Sequence, residues 1–226
     1  MSASGVRARV RAEMTEEIKA VAKRHLVTDG ANLSLRAVAR DMGMASSAVY
    51  RYFASRDELL TALIVDAYNA VGEGAERAAA TGTGDLDRFL RATHAVRDWA
   101  LANPHEWALI YGSPVPGYQA PQDTIGPATR VILLIAGIVR DAYLAGRVAE
   151  REPITGGYAD ELGRVAEQYT PGAPARLVAA AMSAFIHLGG AISAELFGQL
   201  TNSVDEDRRG FFEYQMRGEA DRIGLT

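Results

Sequence analysis

No cysteine occurs among the 226 residues, so disulfide bonds and thiolate metal ligands are excluded. The longest strongly apolar run, residues 131–139, has nine residues, whereas a membrane-spanning helix needs roughly 20. Residues 1–14 carry three arginines with no apolar core after them, so no secretory signal peptide is predicted. We therefore expect a protein that works in the reducing cytoplasm without a membrane anchor.

The sequence also lacks the motifs that catalysis uses. No G-x-S-x-G, P-loop or dinucleotide-binding glycine pattern is present. None of the four histidines stands at metal-ligand spacing with another histidine or a carboxylate on one helix face. Asp160 and Glu161 are adjacent in the chain and do not face each other as a catalytic pair would. We predict no catalytic residues, no metal and no cofactor, and keep an enzyme only as an alternative.

Positive charge is scarce outside the N-terminal part of the chain. The net charge is −4, which by itself argues against a nucleic-acid partner. Residues 1–60, however, hold ten Lys or Arg against seven Asp or Glu, so this segment carries +3 and the remainder −7. A basic module on an acidic body suits a protein of which only one end touches DNA. Ordinary scatter of surface charge is the alternative interpretation.

Residues 34–60 have a helical period that is interrupted at short intervals. The apolar residues recur at the spacing of one buried helix face: Leu35, Val38, Ala39 and Met42. Gly43 then ends the helix, because glycine adopts the left-handed conformation without a steric penalty. A second helix is predicted over residues 46–53. Ser55 and Glu58 have the spacing of a capping box that opens a third helix.

Two short helices joined by a glycine turn form a helix-turn-helix, whose second helix can lie in the major groove. The first residues of that helix are small or slender, so its N-terminus can approach base edges and phosphates, and its later residues supply hydroxyl and guanidinium donors. The sequence predicts DNA contacts from Ser34, Arg36, Met44, Ala45, Ser46, Ser47, Tyr50, Arg51, Tyr52 and Arg56. Arg7, Arg9 and Arg11 could also reach a phosphate or the minor groove, with solvated surface as the alternative.

The segment Gly43 to Leu60, G-M-A-S-S-A-V-Y-R-Y-F-A-S-R-D-E-L-L, resembles the motif of the TetR family of bacterial repressors. In that family a glycine turn precedes a Y-x-x-F recognition helix and a [KR]-[DE]-x-L opening of the next helix. The resemblance implies an all-α protein with an N-terminal three-helix helix-turn-helix DNA-binding domain, residues 1–58. A C-terminal helical ligand-binding and dimerisation domain would span residues 59–226. Ala45 departs from the family, which commonly has Ser or Thr there as helix cap, so Ser46, water or DNA must cap this helix.

Periodicity and breaker residues divide the chain into helices and loops, with no confident strand. The predicted helices cover residues 6–29, 46–53, 56–79, 85–103, 127–146, 159–169, 175–200 and 206–223, and one more starts at Pro104. Asp85, Asn103 and Asp205 are predicted N-caps. His25 falls on the apolar face of the first helix, where a packed or rim position is favoured over a ligand. Residues 112–121, with three prolines and two glycines, form a turn-rich loop.

The helix predicted over residues 175–200 is apolar on nearly all sides and rich in small residues, so another helix can approach it closely. The family resemblance implies a homodimer through residues 175–200 and 206–223; a core helix within one chain is the alternative. A dimer would hold two recognition helices about 34 Å apart, on successive major grooves of a pseudo-palindrome. Residues 106–121 and 185–198 resemble the C-terminal type called the WHG domain, with Phe185, Gly189 and Gly190 at its Trp, His and Gly positions.

Aromatic and polar side chains of the body predict a ligand pocket, although aromatics at helical spacing are usually core. The pocket candidates are Phe89, His94, Trp107, Tyr111, Phe185 and His187, with Trp99, Tyr118 and Glu195 in addition. The resemblance implies a repressor released from DNA by an unknown small-molecule effector. Such an effector binds better to a conformation with misplaced recognition helices, and the helix after Ser55, shared by both domains, is the expected lever. A helical interaction protein without DNA contact is the other alternative.

Overall fold

A computed structural model describes residues 3–225. Within that range the chain is helical, with an isolated antiparallel bridge between Val148 and Leu225 and no strand. The ten helices are α1 Ala3–Asp29, α2 Leu35–Asp41, α3 Ser46–Val49, α4 Arg56–Ala80, α5 Asp85–Ala102, α6 Pro104–Tyr111, α7 Ile125–Leu144, α8 Gly157–Tyr169, α9 Ala175–Leu196 and α10 Arg208–Ile223. The all-α prediction is confirmed.

The helices form two compact units. The first runs to Tyr68 and also includes Asn103–Pro127, and the second comprises Asn69–Ala102 and the chain from Ala128 onward. Helix α4 thus contributes its first half to one unit and its second half to the other. The first unit is larger than the helix-turn-helix domain predicted over residues 1–58, because α6 and the loop after it belong to it.

The first unit is built on the apolar faces that the sequence periodicity predicts. Its fully buried side chains include Ile18 and Ala22 of α1, Val38 and Ala39 of α2, Val49 of α3, and Leu59 and Leu60 of α4. Burial of each such large apolar side chain is worth about 1.5–3 kcal/mol. This core fixes the short helices α2 and α3, which are too short to be stable alone.

The second unit has its own core around α9, which contacts α5, α8 and α10. Its largest fully buried side chains are Phe89, Ile135, Ile138, Leu177, Leu188, Ile192 and Phe212. Among the described residues, α9 is the one helix long and apolar enough, by length and composition, to cross a membrane. The nine-residue run at 131–139 is therefore not the most membrane-like segment. Packing against three helices buries one side of α9, including Leu177, Leu188 and Ile192, whereas Met182 and Ile186 stay exposed.

The last two helices are shorter than predicted. Helix α9 ends at Leu196 instead of residue 200, because Gly198 has a φ of +78° and Gln199 N–H bonds back to the Ala194 carbonyl, 2.9 Å away. Helix α10 begins at Arg208, and its N-cap is Asp207, which accepts from Gly210 N–H at 2.8 Å.

The predicted caps Asp205 and Asp85 act elsewhere. Asp205 accepts from Asn202 N–H in the preceding turn, at 3.0 Å. Asp85 is the first residue of α5 itself. Its side chain is buried and pairs with Arg147 at 2.7 Å.

Candidate functional site

The turn between α2 and α3 forms as predicted. Gly43 has a φ of +65°, and its N–H donates to the Arg40 carbonyl at 3.0 Å while Met44 N–H donates to the Ala39 carbonyl at 2.9 Å. These bonds satisfy the last carbonyls of α2. The chain therefore reverses within two residues and presents α3 on the surface of the first unit.

Helix α3 is shorter than the predicted 46–53 and is uncapped. Regular α-helix ends at Val49, and residues 50–52 continue as turns in which Arg51 and Tyr52 N–H groups bond three residues back instead of four. Ala45 occupies the N-cap position without a side-chain hydrogen bond. The alanine therefore caps no N–H group with its side chain, as predicted, and Ala48 N–H donates to the Ala45 carbonyl at 2.8 Å.

The ten predicted DNA-contact residues fall into two groups. Exposed side chains belong to Ser34, Arg36, Ala45, Ser47, Tyr50 and Arg51. The other four are half-buried, and Met44 and Tyr52 pack against the core of the unit. Arg56 donates to the Ala31 carbonyl at 2.6 Å, so its guanidinium also holds the loop before α2.

Four of the ten share one open concavity on the first unit. Its wall is formed by Ser34, Arg36, Tyr50 and Arg56, together with Leu33, Leu35, Ala54 and Ser55. Ser34 also caps α2, accepting from Ala37 N–H at 3.4 Å. A groove with two guanidinium groups, two hydroxyls and a phenol is chemically suited to phosphate oxygens.

Helix α4 starts with the predicted cap. Ser55 accepts from Glu58 N–H at 3.1 Å, and Glu58 accepts from Ala54 N–H. The carboxylate therefore reaches one residue further back than in the standard capping box. This arrangement fixes the end of the recognition segment to the start of α4.

Polar side-chain contacts tie α1 to α2, α4 and α6, and one of them joins Lys23 to Glu106 at 2.9 Å. His25, half-buried as expected, bonds to Asp41 of α2 with 2.8 Å between Nε2 and Oδ2. Lys19 lies 2.7 Å from Asp66 of α4. Burial lowers the pKa of Lys19, but the hydrogen bonds to Asp66 and Glu16 outweigh it and leave the pKa above its ordinary value.

Within the first unit, residues that follow α5 contact α4. The sequence did not predict these contacts. Tyr68 donates to the Ile110 carbonyl at 3.0 Å and meets Tyr111 edge-on, and Thr61 bonds to the Tyr118 hydroxyl at 2.8 Å. Burial, and secondarily Tyr68, raises the pKa of Tyr111. Trp107 and Tyr111, two of the pocket candidates, lie side by side here with ring centroids 4.4 Å apart.

The other pocket candidates, Phe89, His94, Phe185 and His187, lie in the second unit. Phe89 is fully buried core, and His94 stands edge-on to Phe212 with centroids 5.3 Å apart. His187 bonds to the buried Glu219, and Glu195 forms a two-point ion pair with Arg97 at 2.6 and 2.8 Å. These contacts join α5, α9 and α10. A ligand-binding role for the six candidates stays a prediction.

A separate cavity of about 210 Å³ opens between α7, α8 and α9. Its wall is formed by Thr129, Ile132, Leu133, Ala136, Val165, Tyr169, Thr170, Val178, Ala181 and Met182. Of the residues that the structure describes, no charged side chain and none of the six candidates belongs to this wall. The cavity suits a small uncharged molecule.

Comparison with known proteins agrees with the helix-turn-helix geometry. Residues 18–63 match the family of bacterial regulatory proteins called tetR, and residues 89–218 match the tetracyclin repressor-like C-terminal domain. The HTH-type transcriptional regulator Rv1816 of Mycobacterium tuberculosis is 40% identical over 222 residues, 94% of this chain and 93% of the relative. The chain belongs to the TetR family.

Solved structures of similar proteins share the fold. The regulatory protein SCO4313 matches with a TM-score of 0.79 and 34% identity over 95% of this chain and 98% of that one. RolR in complex with the ligand resorcinol matches with a TM-score of 0.52 and 16% identity over 97% and 98% of the two chains. As a TetR family member the protein is a DNA-binding transcriptional regulator, and the finer resemblance to the WHG type stays a prediction.

Proposed function

We propose that this TetR family regulator is a repressor that binds a pseudo-palindromic operator as a homodimer and is released by a small uncharged effector. It would act in the cytoplasm and without catalysis of its own. The DNA contacts would come from the exposed residues of α2 and α3 and from the concavity lined by Ser34, Arg36, Tyr50 and Arg56.

The main support for a homodimer is an exposed apolar face on the last two helices. On α9, Met182 and Ile186 are 40% and 69% exposed, one turn apart, and Phe197 follows at the helix end with 53%. On α10, Tyr214 is 74% exposed and stacks with Phe211. Large exposed apolar side chains grouped on adjoining helices are typical of a protein interface.

The effector site that best fits the second unit is the cavity between α7, α8 and α9. Its wall would disfavour an ion, because a charged group would lose its hydration without a partner. An aromatic ring with one or two hydroxyls fits the volume, and resorcinol, the ligand in the RolR complex, is of this class. Helix α9 lines the cavity and also carries the proposed dimer face, so an occupant could change the distance between two recognition helices.

Release would follow from linkage between effector and operator. If the effector lowers operator affinity by a given factor, the operator lowers effector affinity by the same factor. Helix α4 is the expected lever, since its first half belongs to the first unit and its second half to the second.

Small uncharged aromatic compounds, resorcinol first, should be titrated against free and operator-bound protein. We expect weaker binding to the operator complex than to free protein. Val165→Trp places a larger side chain in the wall of the cavity and should abolish binding of the compound. Arg164→Trp, on the exposed neighbouring residue, is the control. Equal affinity of free and operator-bound protein for every compound would contradict ligand release.

A further inference from the structure

Helix α3 depends on its surroundings for its orientation. It is a four-residue helix without a side-chain N-cap, and a single turn has almost no stability of its own. The buried Val49 and Phe53 anchor its inner side. At the C-terminal end, residues 50–52, Tyr52 packs against the core, whereas Tyr50 and Arg51 are exposed.

Arg11 of α1 contacts this C-terminal end. Its Nη2 donates to the Arg51 carbonyl at 2.9 Å, and its Cζ lies 5.1 Å from the centroid of the Tyr52 ring. The carbonyls at a helical C-terminus carry partial negative charge, so a cation there is favourable. The same guanidinium therefore acts as a hydrogen-bond donor and as the cation of a cation–π pair.

These two contacts require arginine. A guanidinium is planar, so it can lie over an aromatic ring while its edge donates to a carbonyl, whereas an ammonium cannot combine both contacts in this way. Because Arg11 holds the Arg51 carbonyl, its guanidinium has only part of its hydrogen-bonding capacity left for DNA.

We infer that Arg11 is a positioning residue, which sets the orientation of Tyr50 and Arg51 by holding the C-terminal end of the recognition segment, and that it does not act as a phosphate contact. The inference rests on the DNA-binding role of residues 46–53. It replaces the interpretation of Arg11 as part of an arm that reaches the minor groove.

The test compares Arg11→Ala, Arg11→Lys and the control Arg24→Ala, which removes one exposed charge from the same helix. The probe is a duplex enriched by the unchanged protein from a random pool. Loss of a charge-assisted hydrogen bond and a cation–π contact should weaken specific binding about tenfold in both Arg11 variants. The salt dependence of binding should stay unchanged, because no phosphate contact is lost.

Amide hydrogen exchange provides a readout that needs no DNA. Residues 50–53 should exchange faster in both Arg11 variants and at the unchanged rate in Arg24→Ala. Full affinity of Arg11→Lys, or a salt slope lowered by about one in Arg11→Ala, would overturn the inference, as would unchanged exchange at residues 50–53. If the unchanged protein enriched no duplex, the operator proposal would fail, and the exchange measurement would still decide the role of Arg11.

Discussion

Tyr50 and Arg51 form the exposed end of the recognition segment, and Tyr50 is 45% exposed. The double variant Tyr50→Phe with Arg51→Ala should weaken operator binding by about 2 kcal/mol, since it removes one hydroxyl and one guanidinium donor. Thermal unfolding should be unchanged, because neither side chain is buried. Arg77→Ala, which removes an exposed charge from the second unit, is the control for charge alone. Unchanged affinity of the double variant would contradict the DNA contacts assigned to these residues.

His94 should make the second unit sensitive to acid. Burial lowers its pKa below the ordinary 6.5, with the Arg209 charge as the next cause, while Glu213 acts in the opposite direction. The unfolded chain therefore takes up a proton before the native protein does, and the stability due to neutral His94 is lost as the pH falls below about 6.5. Urea unfolding should be measured at about pH 7.5 and pH 5.5. Between these pH values the free energy of unfolding should fall less for His94→Gln than for the unchanged protein. An equal loss would mean that His94 keeps its ordinary pKa.

For single residues, the sequence predicted conformations that depend on neighbouring backbone and missed contacts between residues far apart in the chain. Gly43 and Ala45 behave as predicted because glycine at positive φ and alanine at an N-cap depend on neighbouring backbone alone. Tyr52 and Arg56 fitted the pattern of DNA donors equally well. Their contacts with Arg11 and the Ala31 carbonyl join residues 41 and 25 positions apart, which no local pattern reveals.

The α2–α3 turn should be sensitive to the loss of its glycine. Gly43→Ala should lower the free energy of unfolding by about 1 kcal/mol, because alanine at a φ of +65° is strained even though no atom lies within 4 Å of its Cβ position. Gly74→Ala is a control of opposite sign. Gly74 lies inside α4 with open space around it, so alanine there should raise the free energy of unfolding by about 0.5–1 kcal/mol. Equal effects of the two substitutions in chemical unfolding would refute the role of the turn.

Helix positions were predictable from periodicity, and helix ends were less so. The sequence gives α1, α4 and α8 to within a few residues, whereas α3 and α9 end early. Gly198 could have marked the end of α9, since a glycine just beyond an apolar helix is the usual C-terminal signal. The choice of Asp207 over Asp205 as cap of α10 depends on three-dimensional turn geometry that composition does not encode.

Dimerisation concerns the whole molecule and can be tested on the exposed face of α9. Ile186→Glu should convert the homodimer to a monomer at micromolar concentration, because it places a charge in the middle of an apolar interface. Val27→Glu changes an exposed apolar residue that lies in the first unit, and it should leave the dimer intact. Light scattering after gel filtration gives both masses. A dimeric Ile186→Glu protein, or a monomeric unchanged protein, would contradict the proposed interface.

The sequence did not predict that residues 103–127 belong to the first unit. These residues follow α5, and their aromatic side chains favoured a pocket in the body. The contacts of Tyr118 with Thr61 and of Tyr68 with Ile110 span 57 and 42 residues. Periodicity describes which face of a helix is buried and says nothing of its distant partner.

In the proposed function, two copies of this chain read one operator together. The decisive experiment is selection of duplexes from a random DNA pool by the protein. Enrichment of a short sequence in two inverted copies, with centres one helical turn or a multiple of about 10 base pairs apart, is the predicted result. Enrichment of a single half-site, or of no sequence over the starting pool, would show that the protein does not read an operator as a homodimer.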